Sequence, residues 1–318
     1  MGKKYSLGIG LNLFDAEAIL LSQDNQVITR VKKNRVKVSA NETLTTLIEL
    51  FEEILSKAKK HKSDIEGIGL ALGGIVNSKK GIVYWPQPPD SYVALPLRDY
   101  FKKKFGFPVY LENDANASAW AEYQTNFSKC NNVIYLFSGV GCGIIINGGV
   151  YKGRDGAAGE LFLNPQKNMS SYLGDFSFLS RWPADLGMVK RAKALVSLGK
   201  ETRLIKRISS SGELSLGAIF EEAKKKDKIS REVVREAAQA LGAKSAFLIN
   251  LLNPEVLIIG GGLEVAGEFF LEGCFDSLKK FSFSEMRKNC KVTLSGLGSQ
   301  ATSLGAAMLV FKEKALQV

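Results

Sequence analysis

A pattern that occurs twice constrains this chain more than any other feature. Near the start, Tyr5–Asn12, Ala16–Ser22 and Gln26–Lys32 are short apolar runs separated by turn residues at Phe14-Asp15 and Gln23-Asp24-Asn25, which predicts a meander of three strands. A helix is expected next over Asn41–Lys60. There Leu44, Leu47, Leu50, Phe51 and Leu55 recur at helical spacing, with Ser39 or Asn41 as its cap. Gly67–Leu72 reads as a buried strand, Leu97–Phe105 as a short helix and Val109–Leu111 as another strand. From Val133 the logic restarts. Val133–Ser138, Gly143–Ile146 and Val150–Lys152 predict three strands with glycine-rich turns, followed by a long amphipathic helix at about Ser230–Leu252. Val256–Ile259 is a continuous apolar strand ending in Gly260-Gly261-Gly262, and Ser303–Lys314 is a terminal helix. Two such halves predict an α/β protein of two lobes with a cleft between them. The first lobe is expected over residues 1–117, with the terminal helix of about 303–318 packing back on it, and the second over 118–302.

Length and composition fit that reading. The 318 residues exceed one ordinary core, and 45% hydrophobic with 24% charged residues is globular composition. No run of about 18 apolar residues offers a membrane helix. The start, Met1-Gly2-Lys3-Lys4-Tyr5, leads into a strand and carries no signal-peptide pattern; Gly2 and Ser6 match a myristoylation pattern, but the core strand begins at once. Cys130, Cys142, Cys274 and Cys290 form no paired spacing, and the only histidine, His61, lies in a basic run. Isolated thiols in a reducing cytoplasm are expected, with no zinc site and no metal ligand set. The net charge of +11 raises the question of nucleic acid. The lysines fall in separate clusters at 57–62, 102–104 and 224–228, and no helix-turn-helix pattern precedes the first strand, so direct DNA binding is not expected.

The chemistry concentrates at Leu111-Glu112-Asn113-Asp114-Ala115-Asn116-Ala117, which follows a strand and opens a helix of small residues, Ala115–Glu122. Ligands of α/β folds bind at such junctions. Asp114 there has two readings. As a general base it would accept a proton from a hydroxyl, an effect of about 10²–10⁴-fold; alternatively Asn113 and Asp114 simply cap the helix, which spacing alone favours.

Read with its surroundings, this segment resembles the catalytic stretch of the ROK family (repressors, open reading frames and kinases that bind sugars). Gly139-Val140-Gly141-Cys142-Gly143-Ile144-Ile145-Ile146-Asn147-Gly148 resembles the family's second phosphate loop. Ala158-Gly159-Glu160 is similar to its sugar-binding stretch, and Asn253-Pro254-Glu255-Val256-Leu257-Ile258-Ile259-Gly260-Gly261-Gly262 to its adenosine-binding turn. Leu304-Gly305-Ala306-Ala307 fits the family's ending, and the segments fall in the family's order over nearly the whole chain. The resemblance implies the two-lobed actin-like, hexokinase-like (ribonuclease H-like) fold. It implies Asp114 as catalytic base, with Asn113, Glu160, Asn77 and Gln87 on the sugar. Ser138, Gly139, Gly141, Gly143, Gly260, Gly261 and Gly262 would hold ATP with Mg²⁺. It also implies a homodimer. Glycine lets backbone N–H groups approach phosphate oxygens, and a plain hairpin explains the same residues. Gly74-Ile75-Val76-Asn77 and Trp85-Pro86-Gln87 resemble the loops that close over the sugar, although the family commonly has Asn where Gln87 stands.

The departures are equally specific. After its first strand the family carries Asp-x-Gly-Gly-Thr, which holds the magnesium hydration shell and the ATP phosphates. Here the segment reads Gly10-Leu11-Asn12-Leu13-Phe14, with Asp15 one place further on. Phe137 and Cys142 replace glycines of the second loop, Phe162-Leu163 stand where the family has Gly-His, and Asn168–Ser180 has no cysteine. Asp175 is the nearest carboxylate to the family's second sugar-binding glutamate. Losing one preorganised donor costs about 3–4 kcal/mol of transition-state stabilisation, and phosphoryl transfer depends on several. Two functions therefore stand, the first as the leading expectation and the second as its alternative. One is an ATP-dependent sugar kinase with an altered nucleotide site. The other is a catalytically inactive sugar-sensing regulator acting through a partner. The sugar itself is not legible in the sequence.

Overall fold

The computed structural model describes residues 3–12, 14–34, 39–87, 91–161, 185–211 and 213–315. Its contacts cluster into two compact units. One contains residues 1–137, 142–159 and 296–318, and the other residues 138–141 and 160–295.

The first meander is β1 (Tyr5–Leu11), β2 (Asp15–Ser22) and β3 (Val27–Asn34). β1 and β2 are buried along their whole length, while β3 alternates as an edge strand with one wet face does. The helix α1 (Ala40–Lys57) follows, capped by Ser39, whose Oγ accepts from Glu42 N at 3.2 Å. A 3₁₀ turn over Lys59–Asp64 absorbs the basic end of the expected helix. β4 (Ile65–Leu72), α2 (Leu97–Phe105) and β8 (Val109–Asn113) come next, the last after an inserted sheet described below. The five-stranded sheet has the order β3-β2-β1-β4-β8. β1 runs antiparallel to β2 and parallel to β4, and β4 runs parallel to β8.

The two faces of this sheet are covered differently. Leu47, Leu50, Phe51 and Ile54 of α1 join Leu7, Ile9, Leu20, Leu70 and Leu111 in one buried cluster. On the other face lies the C-terminal helix α10 (Ala301–Ala315), whose first ten residues are buried. It packs against β1, β4, β2 and the helix α3 (Asp114–Asn126). Glycine makes this approach possible. A Cβ on Gly8 would strike Ser303 O, one on Gly69 would strike Ala306 O, and one on Gly305 would strike Ala117 O.

A second five-stranded sheet repeats the plan in the order β11-β10-β9-β12-β13. Its strands are β9 (Val133–Phe137), β10 (Gly141–Ile146), β11 (Gly149–Val150), β12 (Val256–Gly260) and β13 (Lys291–Leu294). β10 and β11 form an antiparallel hairpin, and β12 and β13 run parallel. The remaining described helices are α4 (Met188–Ser197), α5 (Leu204–Ser211), α6 (Leu216–Lys224), α7 (Lys228–Leu252), α8 (Glu268–Phe281) and α9 (Ser284–Lys288). Asp227 caps α7 through Ser230 N at 2.9 Å.

One element departs from the sequence reading. Gly74–Asn77 and Trp85–Gln87 are expected as loops, yet β5 (Ile75–Asn77), β6 (Ile82–Gln87) and β7 (Ser91–Leu95) form an antiparallel sheet in the order β5-β6-β7. Pro86 is tolerated because it pairs with Tyr92 on β7 alone. β5 reaches only Ile82, Val83 and Tyr84 on the other side.

Candidate functional site

The strand-to-helix junction at Asn113-Asp114 lies wholly in the first unit. Asn113 is extended at the end of β8, and its Oδ1 accepts from Ala115 N at 2.9 Å and Asn116 N at 3.3 Å. Its Nδ2 donates to Gly74 O at 3.4 Å. Asn113 is thus the cap of α3. Asp114 is the first helical residue and half-buried, and its Oδ1 accepts from Ala115 N at 2.8 Å. A Cβ on Gly73 would come within 3.1 Å of Asp114 Oδ2, so the bare backbone of Gly73 leaves room for that oxygen. A helix N-terminus favours the ionised carboxylate.

Beneath the junction lies a buried polar network. Glu112 is 4% exposed. Its Oε1 accepts from Asn113 N and Asn116 Nδ2, both at 3.0 Å, and its Oε2 pairs with Lys152 Nζ at 2.7 Å. Lys152 also meets Glu313 at 3.2 Å. Burial opposes the Lys152 charge, but Glu112 and Glu313 outweigh it and hold its pKa above the usual lysine value. Asn116 is fully buried, and its Oδ1 has no hydrogen-bond partner among the described residues. Asn77 turns its Oδ1 back onto Lys80 N at 2.9 Å and closes the β5–β6 turn. The side chain of Gln87 falls outside the described residues, as do Phe162, Leu163 and Asp175.

The turn after β1 is closed by its own side chains. Asn12 Oδ1 accepts from Phe14 N at 2.8 Å and Asp15 N at 2.9 Å, while its Nδ2 donates to Asp15 Oδ1 at 2.6 Å. Asp15 Oδ2 holds Lys32 Nζ at 2.6 Å, and that ammonium also reaches Ser299 Oγ at 3.1 Å. Asn12 and Asp15 are both buried. The N–H groups of Phe14 and Asp15 are thus bonded within the turn, and the Asp15 carboxylate is paired with Lys32.

The second unit holds the other glycine turns. Ser138 and Gly139 have φ of 49° and 69°. Ser138 N donates to Gly260 O at 3.1 Å, and its buried Oγ donates to Gly261 O at 2.6 Å. These bonds bring two glycine segments far apart in sequence side by side. Gly261 and Gly262 also have positive φ, and Gly262 N donates to Glu264 Oε2 at 2.8 Å. Gly141 forms an antiparallel bridge with Glu160, whose residue is exposed. Gly143, in the first unit, serves close packing, since a Cβ there would meet Ala115 O and Ala119 Cβ.

Sequence reading missed Lys244. This residue of α7 is 2% exposed and donates to Gly139 O at 3.1 Å, and burial pulls its pKa down to about 8. The available signal was a single lysine among small and apolar residues from Ala240 to Ile249. Among the described residues no group of three or more His, Cys, Asp or Glu side chains is placed to hold a metal, and no helix is long and apolar enough to cross a membrane.

Comparison with known proteins shows what the chain is similar to. The ROK family model matches residues 6–313. A xylose repressor of Caldicellulosiruptor bescii is 31% identical over 96% of this chain and 78% of its own length. A glucokinase of Halalkalibacterium halodurans is 26% identical over 99% of this chain and 97% of its own. Among solved structures, a ROK family glucokinase from Streptomyces griseus, in complex with glucose and AMPPNP, superposes with a TM-score of 0.77. It is 24% identical, over 97% of this chain and 99% of that one. The two-lobed, actin-like α/β fold is shared with these proteins.

Proposed function

This chain belongs to the ROK family, and on that premise we propose that it binds a monosaccharide and reports its presence to a partner rather than phosphorylating it. The carrying observation is the closed turn after β1. Asn12 takes the N–H groups of Phe14 and Asp15, and Lys32 neutralises Asp15. ATP and Mg²⁺ do not fit this turn, because cradling a phosphate there requires free donors and a carboxylate open to the metal's hydration shell. No transfer step is assigned.

On the sugar side the reading keeps Asp114 and Asn113 as hydroxyl ligands, with Asn77, Gln87 and Glu160 as further candidates. Carboxylates suit sugar hydroxyls because a charge-assisted bond is roughly twice as strong as a neutral one, and amide side chains suit them because they offer both a donor and an acceptor. Xylose and glucose are the first sugars to try, given the repressor and glucokinase relatives. The test is calorimetry with a panel of pentoses and hexoses beside an ADP-release assay on the same samples. Saturable sugar binding, weakened at least tenfold in Asp114→Ala, with no sugar-dependent ADP formation supports the sensor. Turnover on any sugar overturns it.

A second reading, the sugar kinase, rests on one observation: Asp114 sits at the helix N-terminus with Oδ2 beside bare glycine, where a general base would be placed. Turnover lost in Asp114→Asn would establish that reading instead.

A further inference from the structure

A cavity of about 270 Å³ in the first unit includes Glu112 and Lys152 of the network beneath the junction, but none of the residues discussed as sugar ligands lines it. Gly69, Ala306 and Leu309 line it on the side of α10, and Lys79, Arg98, Lys152, Tyr110, Glu112 and Glu313 also line it. The cations in this lining fall into two kinds. Lys152 is neutralised by Glu112 and Glu313. Arg98 and Lys79 are not: among the described residues they bond only to neutral backbone carbonyls.

That arrangement fixes positive charge without cancelling it. The Arg98 guanidinium donates to Lys79 O at 2.9 Å and to Ser78 O, and its stem lies against Gly81, where a Cβ would come within 3.0 Å of Arg98 Nε. Lys79 Nζ is anchored on Arg154 O at 2.9 Å. Two of the five guanidinium N–H groups are spent on these carbonyls. A held guanidinium loses little entropy on binding an oxyanion, which is the condition for tight recognition of phosphate or carboxylate. The carboxylates of Glu112 and Glu313 and the Tyr110 hydroxyl offer acceptors for hydroxyl groups in the same cavity.

We propose that this cavity is a second ligand site, which takes a small phosphate monoester through Arg98 and Lys79, with its hydroxylated remainder toward Glu112, Glu313 and Tyr110. Arg98 and Lys79 are not among the proposed sugar ligands, so the failure of this proposal and that of the sensor reading are separately visible. The test is calorimetric titration of the full chain with glucose 6-phosphate, with inorganic phosphate and with glucose. The same titrations are run on Arg98→Ala and, as a substitution at an exposed position that leaves the fold least disturbed, on Lys79→Ala. The expected result is saturable glucose 6-phosphate binding, weakened at least tenfold in each variant, while glucose binding is unchanged. Inorganic phosphate binding as tightly, with the same loss in both variants, assigns the site to free phosphate, and tighter binding of the sugar phosphate assigns it to the ester. Absence of saturable phosphate binding, binding unaffected by both substitutions, or displacement of the sugar phosphate by glucose overturns the proposal.

Discussion

Two turns occupy the same place in the two meanders, and they are built in opposite ways. The turn after β1 is filled by side chains, with an amide, a carboxylate and an ammonium satisfying one another around Asn12. The turn after β9 is kept bare. Ser138 and Gly139 adopt left-handed backbone, and support comes from outside the turn, through Gly260, Gly261 and Lys244. The first arrangement consumes its own donors, and the second preserves a glycine surface. Equivalent topology therefore does not preserve equivalent chemistry; a few side chains at the turn decide whether an anion finds donors there.

Four substitutions test this contrast, in decreasing order of expected effect. Gly139→Val places a β-branched residue at φ of 69° and drives its side chain into Leu186. It should destabilise by about 2–5 kcal/mol, read as a lowered denaturant midpoint. A cost below about 1 kcal/mol would mean that the bare turn has room to adapt.

Lys244 carries the next largest effect, and it has a defined sign. Its folded pKa of about 8 lies below the ordinary 10.5. The unfolded chain thus binds the extra proton more tightly, and stability rises with pH through that window. The shift corresponds to a slope worth on the order of 3 kcal/mol. Thermal melts of the native protein from pH 8 to 10.5 should show this rise, and Lys244→Met should flatten it. Equal slopes in the two proteins would remove Lys244 as the titrating group.

Asn12→Ala opens the filled turn and leaves the N–H groups of Phe14 and Asp15 without their acceptor. Loss of stability by about 1–3 kcal/mol is expected, measured by urea unfolding. If this variant costs nothing, the turn is held by its surroundings rather than by its amide, and the contrast with the turn after β9 disappears. Lys32→Ala should have the smallest effect, about 0.2–1 kcal/mol, because its side chain is partly exposed to solvent. Its contribution should shrink in high salt.

Both meanders and the principal helices were legible in the sequence because period and turn chemistry are local. β1, β2, β4 and α1 fell within a few residues of their places. The sheet β5-β6-β7 was not legible, because Pro86 reads as a strand breaker unless one knows that its partner lies on one side only. The helices α4, α5 and α6 and the strand β13 are short and flanked by polar residues, so periodicity has too few turns to register. At the candidate site, the order of motifs located Asn113 and Asp114. The spending of hydrogen bonds stayed hidden. Loss of the Asp-x-Gly-Gly-Thr pattern was visible as altered letters, whereas the closure of Asn12 onto Phe14, Asp15 and, through Asp15, Lys32 is a property of three-dimensional geometry. Lys244 was hidden for a related reason, since a lysine in an amphipathic helix reads as solvated until its neighbours are known.

On the sensor reading proposed above, the clasp at Asn12 also bears on whether the chain could be converted into a kinase. Asn12 and Lys32 both bond Asp15, which lies between them in one chain of contacts. Replacing Asn12 or Asp15 leaves the other with unmet polar groups in a buried turn, while no phosphate cradle is yet formed. The route to transfer therefore passes through intermediates that are less stable and still inactive, and an engineer would have to exchange the whole turn in one step.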